Sequence, residues 1–73
     1  MEIIFSRHAR RRIKWRELNT DEVIETIKSP EKVETTIFGR MNAYKKIGIK
    51  LLKVTYKEEQ DKIIVISAVD KNK

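Results

Sequence analysis

Residues 19–38, NTDEVIETIKSPEKVETTIF, contain the change of period that decides the fold. In the first half the apolar residues recur at helical spacing, with Val23, Ile24 and Ile27 on one stripe. Asn19 stands at the N-cap, Glu22 three residues on is its capping-box partner, and Leu18 can staple onto Val23. The first turn is acidic, as the helix dipole prefers, and Ser29-Pro30 ends the helix at Lys28, because a residue before proline is pushed out of the α region. Beyond the proline the period falls to two: Val33, Thr35 and Ile37 alternate with Glu34, Thr36 and Phe38, which predicts a first hairpin arm.

Upstream, Glu2 to Phe5 is apolar and strand-prone, and Ser6 can cap a helix running from Arg7 to about Glu17. That helix has a narrow apolar face, Ala9 and Ile13, with Phe5 near its start. Downstream, Gly39 to Asn42 supplies turn chemistry and Ala43 to Ile47 returns as a second arm carrying Tyr44. Gly48 is either a bulge or the turn into a strand from Lys50 to Lys57, which puts Leu52, Val54 and Tyr56 on one face and Lys53 and Thr55 on the other. A polar turn at Glu58 to Asp61 leads to the most apolar strand, Lys62 to Val69. The expected architecture is α+β: a short N-terminal strand, two helices, then a curled antiparallel sheet of about four strands, with the helices on one face. Residues 1–73 read as a single domain, with 70–73 expected to fray.

The chain has 73 residues and a net charge of +6. So short a chain builds one modest core and has little room for an enclosed active-site cavity. It has no cysteine, which excludes disulfides and thiolate metal sites. It has no apolar run of signal-peptide or membrane-helix length, so a cytoplasmic protein without membrane contact is expected. The charge is in blocks. Residues 1–18 carry net +4, residues 19–35 net −3, and residues 36–57 hold Arg40, Lys45, Lys46, Lys50, Lys53 and Lys57 with no acid. If the fold brings the two basic blocks together they form a phosphate-sized surface of the kind that binds nucleic acid. A thermophile's general surface lysine is the plainer explanation.

His8, Arg12 and Arg16 are spaced i, i+4, i+8 along the first helix. At about 100° per residue, with His8 at zero, Arg12 falls at about 40°, Arg16 at about 80°, Ala9 at about 100° and Ile13 at about 140°. Arg16 therefore points at the apolar stripe. It must be paired, with Glu22 or Glu25 of the second helix as the nearest candidates, reach past the helix end to solvent, or line a cleft between helix and sheet. His8 is the only histidine, and so the one side chain able to take and give a proton near neutral pH. It is either structural or the seat of chemistry. Trp15, at about 340°, reads as a half-buried boundary residue, the alternative being a platform for a base. Glu58, Glu59 and Asp61 lack a calcium-loop pattern, no serine has a nucleophile-elbow context, and no glycine-rich phosphate loop exists, so neither metal nor cofactor is expected.

The run Phe5-Ser6-Arg7-His8-Ala9-Arg10-Arg11-Arg12, taken with Arg16, Leu18-Asn19, Val23 and Pro30, resembles a widespread microbial family of unknown function with the pattern H-A-x-x-R-x-x-x-R. Tyr44, Leu51 to Val54 and Ile63 to Ile66 match more loosely. That family is similar to the RelE, ParE and BrnT toxins. The resemblance implies a RelE-like, ribonuclease-type fold and a metal-independent endoribonuclease of a toxin-antitoxin system. In that role His8 would act on the ribose 2′-hydroxyl, and Arg12 and Arg16 would hold the phosphate. Arg11, Arg40, Tyr44, Lys45, Lys46 and Lys53 would contact RNA. The chain is shorter than full RelE-type enzymes and lacks an element after Val69. The implied partners are RNA and an acidic antitoxin protein. The alternative is a non-catalytic binding module for nucleic acid or an acidic protein.

Overall fold

The computed structural model describes residues 2–72. The order is β1 (Glu2–Phe5), α1 (Arg7–Trp15), α2 (Thr20–Lys28), β2 (Lys32–Thr35), β3 (Met41–Ile47), β4 (Lys50–Glu59) and β5 (Lys62–Asp70), an α+β arrangement in the expected sequence of elements. The five strands form one sheet in the order β1-β5-β4-β3-β2. β2 to β5 are antiparallel neighbours, whereas β1 joins β5 in parallel, Ile3 opposite Ile63 and Phe5 opposite Val65.

Local chemistry accounts for the helix ends. The Ser6 hydroxyl accepts from Ala9 N–H at 3.1 Å, and the Asn19 side chain accepts from Asp21 N–H at 2.7 Å. Each satisfies an orphan donor of a first turn. Glu22 does not close the capping box; its carboxylate instead accepts from Lys50 Nζ at 2.9 Å and ties α2 to β4. At the end of α1, Leu18 N–H bonds back to the Ile13 carbonyl at 2.9 Å and Glu17 N–H to Lys14 at 3.1 Å. This is a Schellman closure with Glu17 at φ 56°, where glycine is the usual occupant. Leu18 then packs on the core.

The core lies between the helices and one sheet face. Ala9 and Ile13 of α1 and Val23 and Ile27 of α2 pack with Ala43, Val54, Tyr56, Ile63, Val65 and Ala68. Thr26 is buried among the apolar residues and satisfies its hydroxyl by donating to the Glu22 carbonyl at 2.8 Å. It takes the place on the stripe expected for Ile24, which is only half-buried.

Turns account for the remaining differences. Thr36 to Arg40 forms the β2–β3 turn, so Ile37 and Phe38, expected to continue the strand, sit at its tip 92 and 82 % exposed. Gly48, at φ 60°, is in the turn between β3 and β4. The bulge occurs instead in β5, where Thr55 pairs with Ser67 and Tyr56 with Val65, leaving Ile66 as the extra residue. β4 runs on to Glu59, and Gln60 and Asp61, both at positive φ, make a two-residue hairpin. As far as Asn72 the chain end is hydrogen-bonded to the start of β4 and the turn before it. Lys71 N–H donates to the Leu51 carbonyl at 2.8 Å, Asp70 accepts from Leu51 N–H at 3.1 Å, and the Asn72 amide donates to the Ile49 carbonyl at 3.0 Å.

Candidate functional site

Because Ala9 and Ile13 turn α1 onto β5, the opposite side of the helix faces solvent. His8, Arg11 and Arg12 are exposed there, and with Lys14, Trp15 and Glu17 they line a shallow open groove. On the helical wheel Arg11, Trp15, His8 and Arg12 span about 100°, a single face. Trp15 is 86 % exposed, not the half-buried boundary residue its position suggested. The wheel angle was right, but α1 stops at Trp15 and no neighbouring element reaches round to cover the indole.

Arg16 parts from the other two members of the ladder. It is the C-cap of α1, and its guanidinium donates to the Ala68 carbonyl at 2.8 Å. Neither expected partner is available to it: Glu22 is paired with Lys50, and Glu25 lies 3.5 Å from Lys45 Nζ. The reason is topological. β1 ends opposite Val65, so beyond that residue the outer side of β5 has no strand, and the guanidinium supplies a donor where a strand would have done so.

The basic residues of the second block lie elsewhere. Tyr44, Lys46 and Lys53 alternate with Ala43, Lys45 and Val54 and therefore lie on the sheet face away from the helices. Lys45 lies on the helix side, where its ammonium donates to the Ser29 carbonyl at 2.8 Å. Arg40 is exposed beside the β2–β3 turn. The second basic block is thus divided, with Lys45 and Lys50 tied to α2 and Lys46 and Lys53 on the outer sheet face, and His8 and Arg12 share no cleft with Tyr44 and Lys53.

The outer sheet face carries its own polar network. The Tyr44 hydroxyl donates to Glu34 at 2.7 Å, and Lys32 lies over the Tyr44 ring, 5.6 Å from its centroid. The bond to Glu34 raises the Tyr44 pKa above its ordinary value, since ionising the phenol would set two negative charges side by side. The same bond, with Lys32 close by, lowers that of Glu34. Asn42 and Thr55 are joined across the strands at 2.7 Å. Lys32 and Glu34 were not singled out from the sequence as neighbours of Tyr44, although alternation on paired strands is the signal that places them there.

Among the described residues no three His, Asp or Glu side chains converge as a metal site, and no helix is long and apolar enough to cross a membrane. Comparison with protein-family models, curated proteins and solved structures finds no match to this chain. The α1 face presents an uncovered indole with two exposed guanidinium groups, Arg11 and Arg12, both about one turn before it.

Proposed function

We propose that this chain binds single-stranded RNA on the outer face of α1, with Trp15 stacking on a base and Arg11 and Arg12 holding the adjacent phosphates. The observation that carries this reading is the exposure of Trp15 within a groove otherwise lined by His8, Arg11, Arg12, Lys14 and Glu17. A solvent-facing tryptophan has no packing role, and among arginines it has the composition of a nucleic-acid contact. The test is direct, because Trp15 is the only tryptophan. Titration with a short uridine-rich RNA quenches its fluorescence, and added salt reverses the quench. Fluorescence that stays constant over the titration would contradict the reading.

A second, finer reading is favoured by the adjacency of His8 and Arg12, one turn apart and both exposed. It is a metal-independent, toxin-like endoribonuclease. His8 would take the proton of a ribose 2′-hydroxyl, and the freed oxygen would attack the neighbouring phosphorus. The bond to the 5′-oxygen would break, and that oxygen would take a proton from water or from the His8 imidazolium formed in the first step, leaving a cyclic phosphate and a 5′-hydroxyl. Arg12 would offset the charge gathering on the phosphate. Arg16, occupied at Ala68, would position the helix rather than touch RNA. The general α+β arrangement, common to the toxins the sequence resembles, supports this reading without specifying it. Cleavage of RNA in chelator that disappears in His8→Ala, while the fluorescence quench persists, is the expected result. If wild type and His8→Ala leave the RNA equally intact, the chain binds without cleaving. An acidic protein partner of the antitoxin kind would find its charge match on the other side, at Lys46 and Lys53.

A further inference from the structure

β2 is terminal in the sheet, and all four of its residues, Lys32 to Thr35, are exposed. The phase of its hydrogen bonding is set by the bond from Thr36 N–H to the Arg40 carbonyl at 2.8 Å. In an antiparallel ladder the bonded positions alternate, so Lys32 and Glu34 direct their backbone groups inward to β3, and Val33 and Thr35 direct theirs outward to solvent. An edge of this kind accepts another strand unless charge or shape forbids it.

Here charge favours one particular strand. We infer that β2 is the pairing edge for a second copy of this chain, in an antiparallel two-fold arrangement centred on Val33. With Val33 opposite its own symmetry mate, the outward N–H and C=O groups of the two Val33 residues bond to each other. The same register sets Lys32 of each chain opposite Glu34 of the other, on the sheet face away from the helices. Those two side chains already lie 3.6 Å apart within one chain, so both are placed on that face. On the helix side the two Val33 side chains, each 41 % exposed, meet and cover one another. Two-fold registers centred on Lys32 or on Glu34 oppose like charges, and one centred on Thr35 sets Glu34 opposite Thr36 with no charged partner, so each is less favourable. The other sheet edge, β1, offers no such match, since Glu2 is its only charged residue.

The β2–β3 turn adds apolar surface at the same edge. Thr36 braces it, its hydroxyl accepting from Arg40 N–H at 3.2 Å and Phe38 N–H at 3.4 Å, so Ile37 and Phe38 are presented on an ordered turn. A four-residue edge with this small apolar supplement lies at the low end of interface size, and the dimer is accordingly weak and concentration-dependent.

Sedimentation equilibrium over a concentration series up to about 0.5 mM, a range that populates weak interfaces, gives the test. Wild type self-associates to a dimer. Lys32→Glu and Glu34→Lys each replace both cross-chain attractions by repulsions, which weakens association by about tenfold or more. An equimolar mixture of the two variants restores opposite charges at both positions and recovers the dimer, and the double swap Lys32→Glu/Glu34→Lys associates like wild type. Wild type that stays monomeric throughout would overturn the inference. So would single variants that associate as wild type does, or a mixture no more associated than its components. The recovery in the mixture separates lost pairing from any harm that Glu34→Lys does by removing the Tyr44 partner.

Discussion

Truncating Arg16 to alanine removes the donor that satisfies the Ala68 carbonyl, and the structure sets the size of the effect. Ala68 is fully buried, and the bond, at 2.8 Å, joins residues 52 apart in sequence. An unsatisfied buried carbonyl costs about 1–3 kcal/mol. Arg16 itself is only half-buried, so water entering the space it leaves recovers part of that cost, and we expect a loss of about 1.5 kcal/mol. For a domain of this size each kcal/mol lowers Tm by about 4–8 °C, which gives a drop of about 6–12 °C. Thermal unfolding followed by circular dichroism measures it, with Arg12→Ala as the internal control. Arg12 is exposed one turn earlier on the same line, and its truncation costs about 0.5 kcal/mol or less. Equal Tm values for Arg16→Ala and Arg12→Ala would refute the reasoning, because the ladder would then be uniform and Arg16 would have no fixed partner. RNA binding by Arg16→Ala, measured well below its Tm, should match wild type.

Glu17→Gly should raise stability by roughly 0.5–1 kcal/mol, because the residue closing α1 sits at positive φ and glycine adopts that conformation without a Cβ clash; an unchanged or lower Tm on thermal melting would count against the Schellman closure. Glu34→Gln should bring the Tyr44 phenol back toward its ordinary pKa of 10.0, seen as earlier onset of phenolate absorbance with rising pH. The second tyrosine, Tyr56, titrates late because it is buried, and it should be untouched by this change. The sign follows from the two shifts. The Tyr44–Glu34 bond is intact between them, is lost as pH rises through the raised phenol value, and is lost as pH falls through the lowered carboxyl value.

Local chemistry was legible in the sequence wherever a residue acts on its immediate neighbours. The caps at Ser6 and Asn19, the end of α2 at Lys28 and the burial of Ala9 and Ile13 are of this kind. The failures come where distant parts of the chain decide. Glu22 fits the capping-box spacing, but Lys50, 28 residues away, offers its carboxylate a charged donor. Arg16 turns to Ala68 because β1 stops short along β5, and strand lengths in a parallel pairing are not written in local periodicity. The alternation through Ile37 and Phe38 is a valid strand pattern, yet Thr36 bonds the turn ahead of them. Thr26 looks polar by composition and is a core residue because its hydroxyl returns to its own helix. For the site, the i, i+4, i+8 spacing put His8, Arg12 and Arg16 on one line, but Arg16 leaves it for the Ala68 carbonyl, and Arg11 stands beside His8 and Arg12 on the exposed face. The exposure of Trp15, which makes that face a platform, depends on the absence of any covering element.

The proposed binding of single-stranded RNA on the outer face of α1, and not on the sheet face, is tested most directly by fluorescence anisotropy with a labelled uridine-rich oligonucleotide across a salt series. Trp15→Ala should weaken binding by about 1–3 kcal/mol, roughly five- to 150-fold. Arg11→Ala with Arg12→Ala should lower the slope of log K against log salt by about 1.4, the value for two lost phosphate contacts on a single strand. Lys46→Ala with Lys53→Ala should bind as wild type. Undiminished binding by Trp15→Ala, together with loss of binding in the Lys46 and Lys53 variant, would place the RNA on the sheet and contradict the account.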